Sequence, residues 1–156
     1  MGSARDDITA LIYTYAERID AGDFEGIADL FADAVITNQV DDREITGRDA
    51  VLEMYTASTR RYPDDGTPKT KHVMTNVIVE ADEEAGTATS RSYFTVLQAV
   101  PGQFALQPVV AGRYRNRYRR VDGAWRFAGV HFLVDLVGDL SSHLLYDIGD
   151  GTTPRP

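Results

Sequence analysis

Three stretches of the 156-residue chain alternate for far longer than an ordinary strand: Thr87 to Val100, Leu106 to Val121 and Ala124 to Leu136. Most strands stop at about five or six residues. The connections here are tight: Pro101-Gly102 ends the first stretch, and Asp122-Gly123 joins the second to the third. Neighbours joined this way pair antiparallel. Lys71 to Ala81 alternates too, with β-branched Val73, Thr75, Val77 and Val79, and meets the next strand through the turn at Asp82 to Gly86. Paired strands of this length twist and curve, and one face needs an apolar cover.

The cover precedes the strands. Ile8, Leu11, Ile12, Tyr15, Ala16 and Ile19 recur at the spacing of one helical stripe. Ser3 and Asp6 make a capping box at its start, and Gly22 is a natural stop. Asp23 caps a second short helix, Phe24 to Phe31, with Ile27, Leu30 and Phe31 inward. A short strand over Ala34 to Gln39 and a third helix over Gly47 to Tyr62 follow, the latter with Val51, Leu52, Met54 and Tyr55 inward. Asp139 to Leu145 reads as a short terminal helix. Helices first and strands afterwards is an α+β pattern: a cone-shaped sheet wrapped on three helices, its open mouth a natural pocket for a small molecule. Residues 1–148 are expected to form one domain, with 149–156 as a mobile tail. The Pro63 to Pro68 loop is a candidate lid.

Composition narrows the function. There is no cysteine, so disulfides, thiolate ligands and a cysteine nucleophile are excluded. A net charge of -8 argues against a nucleic-acid partner. No apolar run is long enough for a membrane helix, and the N-terminus lacks a signal h-region. A cytoplasmic protein is expected. The three histidines are scattered, so no metal site is expected.

One residue breaks the logic of the first helix. Asp20 lies one turn beyond Ala16 and two beyond Ile12, on the border of the buried stripe. A carboxylate there faces an apolar interior and the negative end of the helix dipole. A polar partner beneath the helix would compensate, and His72, opening the first long strand, is the candidate. Met74 and Asn76 share its face by alternation, and Tyr15 supplies a phenol from the same helix as Asp20. Taken singly, each has a plainer reading: Tyr15 a core aromatic, Asp20 a cap, His72 a strand-edge residue in water. Together they make an acid–base set suited to removing a proton beside a carbonyl. Arg113, Arg115, Arg117 and Arg119 read as a solvated outer face with acidic partners across the sheet. His131 and Asp135 share a face with Trp125 and Phe127 unless a bulge intervenes, and His143 falls in the terminal segment.

Several stretches carry a resemblance. Tyr15 to Phe24, Leu30-Phe31-Ala32-Asp33, Lys71 to Asn76 and Asp122 to Phe127 together resemble the nuclear transport factor 2-like superfamily. Within it, the chain is most similar to the SnoaL-like branch that includes scytalone dehydratase, bile acid 7α-dehydratase and hexachlorocyclohexane dehydrochlorinase. The resemblance implies a cone-shaped α+β barrel, no cofactor and a homo-oligomer, dimer or trimer. Matched by motif, it implies catalytic roles for Asp20, His72 and Tyr15; Tyr55, Met74, Asn76, Gln98 and His131 are the expected substrate-binding residues. The chain departs from these enzymes where they carry further polar groups: Val96, Leu97 and Gln98 stand in the place of a second base, and Val130 or His131 in that of an arginine. The expected activity is a dehydratase-type lyase acting on a small, mostly apolar cyclic substrate. The alternatives are a non-catalytic ligand-binding or assembly domain, and an isomerase or cyclase for a polycyclic ketone.

Overall fold

The computed structural model describes residues 2–148 and Pro154. Apart from Pro154, the expected tail lies outside the described residues. The chain opens with α1 (Ala4–Asp20), α2 (Phe24–Leu30), β1 (Val35–Asn38), β2 (Ile45–Thr46) and α3 (Arg48–Ser58). It continues through β3 (Thr70–Asp82), β4 (Thr87–Val100), β5 (Phe104–Val121) and β6 (Ala124–Val137). The architecture is α+β: three N-terminal helices against one mixed sheet of six strands, in the order β2-β1-β6-β5-β4-β3. Only the β1–β6 pair is parallel.

Local chemistry sets the helix ends. Ser3 accepts from the Asp6 amide while the Asp6 carboxylate accepts from the Ser3 amide, completing the capping box. The chain leaves α1 through Gly22 at φ +71, where a Cβ would sit 2.1 Å from the Gly66 carbonyl oxygen. Only glycine fits both that backbone and that contact. Asp23 then caps α2 by accepting from the Gly26 amide.

The sheet closes around the stripe of α1. Ile8, Ile12, Tyr15 and Ile19 are buried in one core with Ala88, Phe94 and Val96 of β4 and Tyr114 and Tyr118 of β5. The odd-numbered arginines of β5 point outward as expected, and Arg113 makes a two-point ion pair with Asp135 across the sheet, at 2.8 Å each. Bulges bend the long strands. The β3–β4 register shifts between Thr75 and Ile78, with Asn76 at φ +54, and the β5–β6 register shifts beside Ala128.

The segment expected to be a terminal helix is instead a turn. Its residues bond outward: Arg60 N–H donates to the His143 carbonyl, Leu145 N–H donates to the Ser58 carbonyl, and Leu144 bridges Thr59. Apart from one turn closed by Leu144 N–H on the Leu140 carbonyl, these backbone groups serve the end of α3 and the chain beyond it, so no further helical turn forms. α3 itself stops at Ser58, short of the expected Tyr62.

Candidate active site

The last residue of α1 and the first turns of β3 meet at one carboxylate. Asp20 Oδ1 accepts from the Thr70 hydroxyl at 2.9 Å and from His72 Nδ1 at 2.6 Å. Its Oδ2 accepts from the His72 backbone N–H at 2.8 Å. Three donors compensate a charge placed at the wrong end of a helix dipole. A carboxylate only accepts, so the proton on this side of the imidazole belongs to Nδ1. In the neutral ring, Nε2 then carries the lone pair. The His72 side chain is 4% exposed and that of Asp20 11%, so the pair works away from bulk water.

Tyr15 stands beside the pair, its ring edge-on to His72 with centroids 6.3 Å apart. Its hydroxyl accepts from Tyr55 at 3.1 Å and from Tyr114 at 3.3 Å. A phenol both donates and accepts, so Tyr15 can turn its proton to an oxygen brought to the site. Burial pushes the Tyr15, Tyr55 and Tyr114 phenols upward in pKa, with mutual repulsion of the ionised forms adding to it. All three are neutral donors near neutral pH.

The structure brings Asp20, His72 and Tyr15 together, with Tyr55 behind Tyr15. Met74 is partly buried and packs on the core next to them along β3. Three other expected pocket residues stand elsewhere. Asn76 occupies the bulge of β3 and is exposed, because the shifted register ends the alternation that would align it with His72. The bulge at Ala128 likewise turns His131 onto the outer face. There it pairs in register with Arg115 and holds the Thr37 hydroxyl at 2.7 Å through Nδ1. Gln98 is buried but committed to structure: its Nε2 donates to the carbonyls of Pro68 at 3.0 Å and Ser142 at 2.8 Å. The Pro63 to Pro68 loop is braced from within, by Gly66 N–H on the Tyr62 carbonyl and by Lys69 on Asp64 and Asp65.

Two residues not singled out for the site belong to it. Tyr114 was signalled by β5 itself, since outward odd arginines force even positions inward. His143 had no such signal, because it arrives on an irregular turn. Its ring is buried, with its centroid 6.2 Å from that of His72. Burial, and secondarily the neighbouring His72, push its pKa down to about 3, so it is uncharged at neutral pH. Deeper on the inner face of β4 and β5, Ser90 and Asn116 hydrogen-bond the Tyr118 hydroxyl. Surface clefts lie away from the dyad: one of about 500 Å³ borders Glu80, Asp82, Arg117 and Arg119, and another of about 480 Å³ follows the β4–β5 turn. Among the described residues, no group of three His, Asp or Glu could hold a metal ion, and no helix is long and apolar enough to cross a membrane.

Three N-terminal helices against one mixed six-stranded sheet are the α+β arrangement of the NTF2-like fold. The SnoaL-like domain matches residues 2–131, and the chain belongs to that family. No curated protein matches it. Among solved structures, it is similar to an NTF2-like protein with a cystatin-like fold from Novosphingobium aromaticivorans, at 22% identity and a TM-score of 0.67, over 83% of this chain and 80% of that one. It is similar to a variant of the Mycobacterium tuberculosis protein Rv3472, of unknown function, at 25% identity and a TM-score of 0.67, over 97% and 86%. A third, from Novosphingobium aromaticivorans and provisionally named a scytalone dehydratase, shares 22% identity with a TM-score of 0.66, over 96% and 91%.

Proposed function

We propose that this protein is a cofactor-independent lyase of the dehydratase type, using general acid–base chemistry on a small, mostly apolar cyclic β-hydroxy ketone. The observation that carries the reading is the 2.6 Å bond between Asp20 and His72 beside the buried Tyr15 phenol. His72 Nε2 takes a proton from the carbon next to the carbonyl. Asp20 stabilises the imidazolium that forms, and Tyr15 donates to the carbonyl oxygen as it gains charge. The proton then passes to the departing hydroxyl, which leaves as water. The family and the provisionally named dehydratase among the similar structures support this reading. Exposed Val73, Tyr93 and Leu136 on the sheet suit a homo-oligomer contact. The test is formation of cyclohexenone from 3-hydroxycyclohexanone, followed by enone absorbance. His72→Ala and Asp20→Asn should each lower the rate by about 10²–10⁴-fold. Equal rates in all three proteins would refute the mechanism.

A second reading, a non-catalytic ligand-binding or assembly domain, is favoured by one observation. The dyad and the three phenols are nearly covered by protein, and the clefts described above are lined by other residues. Binding of the same ketone without chemical change would select it.

A further inference from the structure

The turn that follows β6 has an unusually firm anchorage for a segment without regular structure. The Ser142 carbonyl accepts from the Tyr62 hydroxyl at 2.7 Å and from Gln98 Nε2 at 2.8 Å. The His143 carbonyl accepts from Arg60 N–H at 2.8 Å, and Leu145 N–H donates to the Ser58 carbonyl at 2.9 Å. These bonds fix the backbone on either side of His143 and so aim its ring. His143 as a residue is 5% exposed, its ring plane is inclined 62° to that of His72, and its Nδ1 has no partner. A buried polar nitrogen without a partner is rare, because desolvation goes uncompensated. The chain could have carried an apolar residue here, yet it brings a second imidazole to the one that Asp20 orients.

The two rings are complementary. His72 uses Nδ1–H on Asp20, which leaves Nε2 as an acceptor. Their ring centroids lie 6.2 Å apart, so the two imidazoles are neighbours in the same buried region. A hydroxyl both donates and accepts, so it satisfies both rings at once. We propose that His143 is a second catalytic imidazole, its Nδ1–H donating to the hydroxyl oxygen that leaves the substrate while that hydroxyl faces His72 Nε2. This rests on the lyase reading above and names the substrate feature recognised: a ring hydroxyl one carbon removed from the acidic C–H. In the reaction the C–H bond breaks to His72, and its electron pair passes through the enolate to form the C=C bond. The C–O bond breaks as His72 returns the proton to oxygen, and water departs hydrogen-bonded to His143. No outside reactant is needed. The neutrality that burial imposes on His143 suits a donor that never takes the proton itself.

The decisive experiment is a histidine ¹⁵N spectrum of the whole protein, titrated with 3-hydroxycyclohexanone and, in parallel, with cyclohexanone. The proposal expects the His143 Nδ1 resonance to move with the hydroxy ketone and stay in place with the ketone. His143→Asn, which keeps a donor, and His143→Leu should differ: the leucine variant should bind the hydroxy ketone about tenfold less tightly, the usual worth of one hydrogen bond, and bind cyclohexanone as before. A His143 resonance indifferent to both ligands overturns the proposal. So does unchanged kcat and KM in His143→Leu with turnover intact, which leaves the lyase reading standing. A His143 shift without any turnover removes the lyase reading and with it the catalytic role of His143, leaving only a hydroxyl contact.

Discussion

Asp20 holds three donors of β3, and His72 supplies two of them, through its ring and its backbone. One carboxylate therefore orients the imidazole and also fastens the start of β3 to the end of α1. Asp20→Asn keeps the shape but removes the charge, and its amide cannot accept at both positions. We expect a loss of about 1–3 kcal/mol in stability, read as a lower midpoint in urea unfolding. Asp20→Ala, which leaves all three donors unpaired, should be worse. Equal stability of the wild type and both variants would mean that the pair contributes nothing to the fold.

Acid should unfold the protein through His143. An unfolded histidine titrates near pH 6.5, whereas the buried ring titrates near about 3, held down by desolvation and by His72, with Asp20 opposing weakly. The unfolded state therefore binds the extra proton first as pH falls. The stabilisation is complete above about pH 6.5 and is lost progressively down to about pH 3, at about 1.4 kcal/mol per unit. Chemical denaturation at a series of pH values checks this, and His143→Leu should remove that part of the slope.

Alkali should act on the three phenols. The pKa values of Tyr15, Tyr55 and Tyr114 are raised by burial, so their stabilisation is complete below the unfolded value near 10 and is lost above it. Three such groups together give a slope of about 4 kcal/mol per pH unit. Tyrosinate absorbance should rise in step with the loss of circular dichroism. Smooth ionisation of all eight tyrosines in the folded state would contradict it.

Gly22→Ala should destabilise by at least about 1 kcal/mol from its positive φ alone, and by more because the new methyl meets the Gly66 carbonyl. Thermal melting measures this. Gly47→Ala, at φ +87 with open space around it, should show only the backbone part.

The parts of this architecture that depend on periodicity were legible in the residues. The stripe of α1, its capping box, the glycine stop and the length of β4 all follow from spacing. So does the placement of Asp20, whose position on an apolar face needs a partner. What periodicity cannot carry is a change of phase. The bulges at Asn76 and Ala128 add residues without any residue-type signal, and they moved Asn76 and His131 out of the expected pocket. Contacts made by irregular chain were equally hidden. Nothing local in Ser141-Ser142-His143 announces that Ser58, Arg60, Tyr62 and Gln98 will bind it as a turn and press His143 toward His72.

The most direct test of the account follows deuterium from solvent into the carbon next to the carbonyl of cyclohexanone, by proton NMR, with no leaving group present. Proton abstraction by His72 with Tyr15 on the oxygen predicts exchange that the wild type accelerates, that His72→Ala abolishes and that Tyr15→Phe slows. Exchange at the rate of buffer alone, with the ketone demonstrably bound, would show that the buried imidazole and its carboxylate perform no chemistry.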